Sequence, residues 1–225
     1  DGVPYHGDKK NIQPGYWKFK NVDGSEDNQI TESDKTIIGN ALPDFYGGIN
    51  NTFSWKDFDL SIFFTYSYGA EVLNATKLTN TKTALTNKNV LSVADEAHRW
   101  VTINANGELI TNPEELAAVN RGKTIAHFGD NGSNNTYIHS WAIEDASYLK
   151  LSNITLGYTF PKKVINKIGL TKLRLYATGN NLFTWTPYSG FDPEVSTMSS
   201  ALTPGVDLGA YPSSRSFVFG VNVAF

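Results

Sequence analysis

Apolar and polar residues alternate along five segments of the chain, which is the pattern of β-strands with two unlike faces. The strands are predicted at residues 44–54, 58–68, about 148–160, 172–185 and 217–225. In the third segment the alternation changes phase, which predicts a β-bulge near Ser152. The last segment is the most regular, and one of its faces carries Phe217, Phe219, Val221, Val223 and Phe225.

The connections between these strands alternate between short and long. Residues 55–57 and 161–170 are short, whereas long loops are expected at about 70–146 and about 186–209. Short turns on one side and long loops on the other are typical of outer-membrane β-barrels. The pattern therefore predicts an all-β fold, an antiparallel transmembrane β-barrel, with residues 43–225 supplying five strands and 1–42 an extracellular loop. Further strands must come from outside the chain, because an open sheet edge is unstable in lipid.

Two short helices are predicted inside the first long loop. Residues 90–100 form an amphipathic pattern, and a second helix is expected at 113–119. Asn112 would cap the second helix, with Glu114 and Glu115 in its first turn.

Composition narrows the protein class. Charged residues make up 18%, compared with about 25% in average soluble domains. No apolar run is long enough for a membrane helix, whereas alternating strands hide their hydrophobicity. The net charge of -3, with basic residues scattered singly, argues against nucleic-acid binding. The chain has no cysteine and does not begin with a signal peptide, so a leader is expected upstream.

Several segments, taken in order, resemble the SusC/RagA family of TonB-dependent outer-membrane transporters of the Bacteroidetes. They are DGSEDNQITESD (23–34), KTIIGN (35–40), PDF (43–45), FDLS (58–61), SYLKLSNITLGY (147–158), NNLFT (180–184), YSGFDPE (188–194) and the final Phe225. The resemblance implies the carboxyl-terminal strands of a plugged barrel of about 22 strands in the bacterial outer membrane. It further implies a plug and a TonB-interacting segment upstream, and a SusD-like lipoprotein lid. Import of oligosaccharides or peptides would follow, with no enzymatic activity.

The acidic segment also has the spacing of a calcium-binding loop. The ligand positions would be occupied by Asp23, Ser25, Asp27, Gln29, Thr31 and Asp34. The pattern departs from the ideal one, because Asn28 replaces the turn glycine and Asp34 the last glutamate. A bound Ca²⁺ and a solvated acidic turn that keeps only the shape both remain open.

Other candidate residues are assigned by their position. Polar side chains on the fourth strand would line the substrate route or bond to the plug, namely Arg174, Tyr176 and Asn180. Trp100 and Trp141 lie in the long loop, where they would stack on substrate or pack locally. The terminal strand ending in Phe225 is interpreted as a barrel-assembly signal. Asp192 and Glu194 do not form a convincing glycosidase pair, and we expect them to fix a loop.

Catalysis has little support elsewhere in the chain. The four histidines have no metal-binding spacing, and hydrolase, P-loop and dinucleotide-binding motifs are absent. The alternative to a transporter is a surface or soluble β-sandwich that binds carbohydrate, since it would use the same alternation and the same loop aromatics. The strand lengths and the loop asymmetry favour the barrel.

Overall fold

A computed structural model describes residues 4–6, 13–81, 89–127, 137–194 and 203–225. The chain divides into two compact units, Asp1–Ile38 with Ala75–Ala142 and Gly39–Asn74 with Ile143–Phe225. The helices are α1 (Ala75–Asn80), α2 (Pro113–Val119) and α3 (Lys162–Ile165). The strands are β1 (Tyr5–His6), β2 (Gln29–Ile30), β3 (Phe45–Trp55), β4 (Phe58–Tyr68), β5 (Glu71–Asn74), β6 (Ile143–Asp145), β7 (Tyr148–Thr159), β8 (Lys172–Trp185), β9 (Val206–Asp207) and β10 (Ser216–Ala224).

A five-stranded antiparallel sheet dominates the second unit. Its order is β3-β4-β7-β8-β10, so neighbours in space follow one another along the chain once the small strands are left aside. These are the five strands expected from the alternation, and β4 and β8 have the predicted bounds. The mostly antiparallel β fold is thereby confirmed.

The predicted bulge is present, and it has a counterpart in the next strand. The β4–β7 register shifts opposite Ser152, so β7 carries one residue more than β4. The β7–β8 register shifts at the same level, so β8 carries one residue more than β7. Asn181 in this stretch has a φ of 52°. The bulge explains why the alternation in β7 changes phase.

The register gives the sheet two faces of opposite character. Rows of paired residues on the first face are almost entirely apolar, and we call this the apolar face. Its side chains include Phe45, Ile49, Phe53, Trp55, Phe58, Leu60, Ile62, Phe64, Tyr66, Tyr68, Leu149, Leu151, Ile154, Leu156, Tyr158, Leu175, Phe183, Trp185, Phe217, Phe219, Val221 and Val223. Many of these stay uncovered; Phe219 is 79% exposed and Phe217 68%.

The opposite face, called here the polar face, carries mainly hydroxyl and amide side chains. Phe63 is an exception, and its ring lies against Gly48, where a Cβ would be 2.9 Å from it. A glycine in a strand often marks such a close approach by a neighbouring side chain. The ring fills space that would otherwise be empty beside the glycine.

Both predicted short connections are confirmed. Lys56 and Asp57 join β3 to β4, with Lys56 at a φ of 53°. Pro161 precedes α3, and the following 3₁₀ turn ends at Gly169 in the left-handed conformation with a φ of 75°. Glycine adopts this conformation without the steric cost that a Cβ brings.

A smaller sheet with the order β6-β5-β9 completes the second unit. Val72 on β5 packs with Ala146 and Tyr188 in a buried cluster. This cluster holds residues from the first part of the unit against residues far later in the chain.

The first unit has little regular structure. β1 and β2 pair in parallel, and α2 forms as predicted, with Asn112 Oδ1 accepting from the amides of Glu114 and Glu115 at 2.8 and 3.3 Å. The predicted helix at 90–100 is wrong, since only a 3₁₀ turn forms at Ser92–Ala94. Within the described ranges, no helix is long and apolar enough to cross a membrane.

Candidate functional site

Neighbouring strands exchange hydrogen bonds between side chains along the polar face. The partners are hydroxyl and amide groups, which hold one another without any net charge. The pairs are Ser61–Asn50 at 3.2 Å, Thr65–Ser152 at 2.6 Å, Thr155–Thr178 at 2.8 Å, Asn153–Asn180 at 2.8 Å and Asn180–Ser216 at 3.0 Å. The centre of this face is therefore neutral and already hydrogen-bonded within itself.

An ion pair crosses the polar face near the β3–β4 turn. Arg174 on β8 donates to Asp59 on β4, with Nε–Oδ1 at 3.0 Å and Nη2–Oδ2 at 2.5 Å. The pair passes over Gly157 on the intervening β7, where any Cβ would collide with both side chains. The Arg174 guanidinium also lies 5.2 Å from the Tyr176 ring centroid. The glycine thus lets one bidentate contact join β8 to β4 across β7.

A second charged group lies at the opposite end of the polar face. Lys150 on β7 is 5% exposed, and its ammonium forms an ion pair with Glu194. Tyr148 donates its hydroxyl to Glu194 Oε1 at 2.7 Å, and Ser213 Oγ lies 3.4 Å from Lys150 Nζ. The segment that follows β8 is therefore fastened onto the polar face by a largely buried charge pair. We call residues 186–194 the anchor segment.

Asp192 stabilises the anchor segment from within. Its carboxylate accepts from the backbone amides of Glu194 and Ser213, each at 3.0 Å. Burial raises the pKa of Asp192, but these amide bonds outweigh it and hold the pKa below its usual value. Asp192 and Glu194 fix a loop, as expected, and do not face each other across a cleft.

The anchor segment has a further attachment to the smaller sheet. Tyr188 donates its hydroxyl to Asp207 Oδ2 at 2.7 Å, and Ser189 donates to Glu144 through its amide and hydroxyl, both at 2.9 Å. Burial, followed by the bond to Asp207, raises the pKa of Tyr188. Gly190 lies under the Tyr188 ring, where a Cβ would collide with it. The segment is consequently held at both ends.

A cavity of about 300 Å³ lies between the anchor segment and the polar face. Lys150, Thr184, Thr186 and Asp192 line it with polar groups, and Phe191 lies at its edge with 80% of its surface exposed. A large exposed ring beside polar donors and acceptors suits contact with a sugar ring or a peptide side chain.

The structure separates the five predicted contact residues into two groups. Arg174, Tyr176 and Asn180 lie together on the polar face. Arg174 and Asn180 hydrogen-bond to neighbouring strands, whereas the Tyr176 ring lies beside the Arg174 guanidinium and against Gly220. Trp141 and Trp100 belong to the first unit; Lys77 Nζ lies 4.3 Å from the Trp141 ring centroid, and Trp100 packs against Gly15. Substrate contact by any of the five stays a prediction.

The acidic segment forms a compact turn closed by carboxylates. Asp34 accepts from the amides of Val22, Asp23 and Thr31, and Asp27 accepts from Gln29 and Ser25. The backbone amides of Thr31 and Val22 lower the pKa of Asp34, and the Gln29 amide, followed by the Ser25 hydroxyl, lowers the pKa of Asp27. In the described part of the chain, no three acidic or histidine groups are placed to hold a metal ion. Calcium binding stays a prediction.

The terminal strand has its regular apolar residues on one face. Phe217, Phe219, Val221 and Val223 lie on the apolar face, and Phe225 follows the end of β10 with 91% exposure. Thr171 Oγ1 donates to the Phe225 carbonyl at 3.2 Å. Its role as an assembly signal stays a prediction.

Sequence reasoning did not single out Asp59 and Lys150. Both are charged residues at polar-face positions of strands whose other residues on that face are neutral. A charge inside an otherwise neutral strand face was the available signal, because such a charge needs a partner. The partners lie 115 and 44 residues away, so their identity depends on the sheet register.

Comparison with known proteins gives relatives along nearly the whole chain, although no family model matches it. TonB-dependent receptor P3 of Formosa agariphila is 34% identical over 217 residues, which cover 94% of this chain and 19% of that protein. TonB-dependent receptor SusC of Bacteroides thetaiotaomicron is 29% identical over 206 residues, covering 91% and 17%. The chain thus spans about a fifth of the length of the curated relatives it matches.

Solved structures show the same likeness. The RagAB peptide importer in its open-open state has a TM-score of 0.66 and 25% identity, covering 93% of this chain and 20% of that one. The closed-closed state has a TM-score of 0.65 at 24% identity, covering 88% and 19%, which supports the fold alone.

Proposed function

The chain belongs to the SusC/RagA family of TonB-dependent transporters, and we propose that it forms part of the barrel wall of an outer-membrane nutrient importer. The two-faced sheet carries this proposal. One face is apolar and uncovered, as lipid requires, and the other is hydrogen-bonded and polar, as a lumen requires. Five strands would be joined at both open edges by strands from the remainder of a plugged barrel of about 22 strands.

The apolar face has the dimensions of a bilayer core. β4 runs from Phe58 to Tyr68, about 33 Å at about 3.3 Å per residue, or about 25 Å across the membrane at a tilt of about 40°. Aromatic rings cluster at both of its ends. The ring centroids of Phe58 and Tyr158 are 4.7 Å apart at one end, and those of Phe45 and Tyr68 are 5.1 Å apart at the other. Such rings suit the two membrane interfaces.

The proposed orientation puts the two-residue β3–β4 turn in the periplasm. Residues 1–42, 70–146 and 186–209 then lie outside the cell, and the anchor segment lies over the lumen at its extracellular end. A SusD-like lipoprotein would cover this mouth, and a plug with a TonB-interacting segment would come from the rest of the protein.

The substrate class is an oligosaccharide or a peptide. The cavity beside Phe191 combines an exposed ring with neutral and charged hydrogen-bonding groups, which both classes need. The relatives named above are receptors and importers, and the chain has no catalytic role in the proposal. A β-sandwich binding module is disfavoured because its apolar face would be covered, whereas Phe217 and Phe219 stay exposed.

Fractionation of the full-length protein tests the proposal. We expect it in the outer membrane, extractable only with detergent, and co-purified with a lipoprotein lid. Uptake of labelled oligosaccharides and of labelled peptides by cells with and without the gene then identifies the substrate class. A protein that stays soluble and monomeric in buffer would refute the transporter and favour the binding module.

A further inference from the structure

An open groove crosses the apolar face at the end where β4 and β8 finish and β7 begins. Tyr68 and Trp185 line its two sides, and the smaller Ser147 lies between them, immediately before β7. Phe45 extends one side by stacking on Tyr68. The groove has a volume of about 320 Å³. Its shape arises because a serine separates two large aromatic side chains.

A cation is linked to one wall of this groove through two successive ring contacts, and the same residue, Arg215, also lines the cavity beside the anchor segment. Arg215 precedes β10, and its Cζ is 5.7 Å from the Phe183 ring centroid. The Phe183 ring is 6.0 Å from that of Trp185, and both belong to the apolar face. Among the described carboxylates, none forms an ion pair with Arg215. Trp185 therefore connects the groove, by way of the Phe183 ring, to a guanidinium that forms no ion pair with a described carboxylate.

We propose that Arg215 and the groove bind a phosphorylated glycolipid of the outer leaflet. A phosphate pairs with a guanidinium through two parallel hydrogen bonds, while an acyl chain of the same molecule lies between Tyr68 and Trp185. The proposal rests on the proposed function, because the barrel orientation puts this end of the sheet at the extracellular interface. The outer leaflet of such a membrane consists largely of phosphorylated glycolipids, so the phosphate is assigned to a glycolipid and not to a phospholipid.

The opposite end of the sheet provides a matched control. Lys56 Nζ lies 4.7 Å from the Trp55 ring centroid, so it is also a cation over an aromatic ring of the apolar face. It lies at the proposed periplasmic interface, away from the groove. Loss of its charge should leave glycolipid binding unchanged.

Native mass spectrometry of the full-length transporter, purified from outer membranes in mild detergent, measures the site. Delipidated protein is titrated with lipid A and, separately, with phosphatidylglycerol. We expect Arg215→Gln to weaken lipid A binding about tenfold, because a charge-assisted contact to phosphate is lost. Arg215→Lys should keep part of the affinity, Trp185→Ala should weaken binding with the charge intact, and Lys56→Gln should match the wild type.

Each alternative outcome overturns the proposal in a recognisable way. Equal binding of lipid A by the wild type and Arg215→Gln removes the site. If Arg215→Gln loses binding of phosphatidylglycerol but not of lipid A, the groove binds a phospholipid. If Lys56→Gln loses as much lipid A binding as Arg215→Gln, the lipid is held by general charge attraction. These results leave the transporter intact, whereas a full-length protein absent from the outer membrane refutes the proposed function itself.

Discussion

Replacing Glu194 with glutamine should release the anchor segment from the polar face. The Lys150 side chain is 6% exposed and that of Glu194 is 33% exposed. Removing one partner of a fully buried ion pair costs about 3–5 kcal/mol, and the partial exposure of Glu194 reduces this through water screening. We expect a cost of about 2 kcal/mol for Glu194→Gln, or a roughly thirtyfold shift toward the open segment.

Amide hydrogen exchange in the full-length protein measures this opening. The amides of Glu194 and Ser213 are the reporters, because both donate to Asp192 while the segment is closed. Their exchange should be roughly thirtyfold faster in Glu194→Gln. Glu115→Gln, on the exposed surface of α2, is the matched control and should have no effect.

A double variant separates the lost ion pair from a general disturbance. Lys150→Met with Glu194→Leu removes both charges, and apolar replacement of a buried pair is often neutral. The double variant should therefore exchange more slowly than Glu194→Gln. If Glu194→Gln exchanges at the wild-type rate, the ion pair does not hold the segment and the reasoning is refuted.

Three further predictions concern neighbouring groups. Gly190→Ala should destabilise the segment by about 1–3 kcal/mol through a clash with the Tyr188 ring; unchanged exchange of the Ser189 amide would contradict this. The pKa of Tyr188 is raised in the folded state, which favours the neutral phenol there. Its contribution to the stability of the anchor segment is therefore complete below about pH 10 and is lost as the pH rises further. Amide hydrogen exchange at alkaline pH should show this loss in the wild type and not in Tyr188→Phe. If the acidic turn binds calcium, Ca²⁺ should protect it from proteolysis, and Asp27→Asn should abolish the protection.

The strands could be predicted because their signal is local. Alternation with period two depends only on neighbouring residues, and it is strongly specified wherever one face of the sheet must be apolar. The phase change at Ser152 marked the bulge in β7 for the same reason. The second shift, in β8, left no trace, because β8 carries two residues more than β4 and its alternation is unchanged.

The predicted helix at 90–100 failed through a local competition. The Asp95 carboxylate accepts from the amides of Ala97 and His98, and aspartate often caps turns in this way at the expense of helix. The charge pairs of the polar face could not be predicted, because they depend on contacts between residues far apart in the sequence. Partners such as Lys150 and Glu194 meet only after the sheet register and the course of the loop are set.

The two register shifts at Ser152 and Asn181 have a consequence for how such walls change in evolution. A one-residue insertion in a strand normally turns every following side chain to the other surface. Here the additional residues are absorbed at one level of the sheet, and the side chains beyond them keep their surfaces. That level can accept a gained or lost residue without exposing polar groups to lipid, and length differences among relatives should concentrate there.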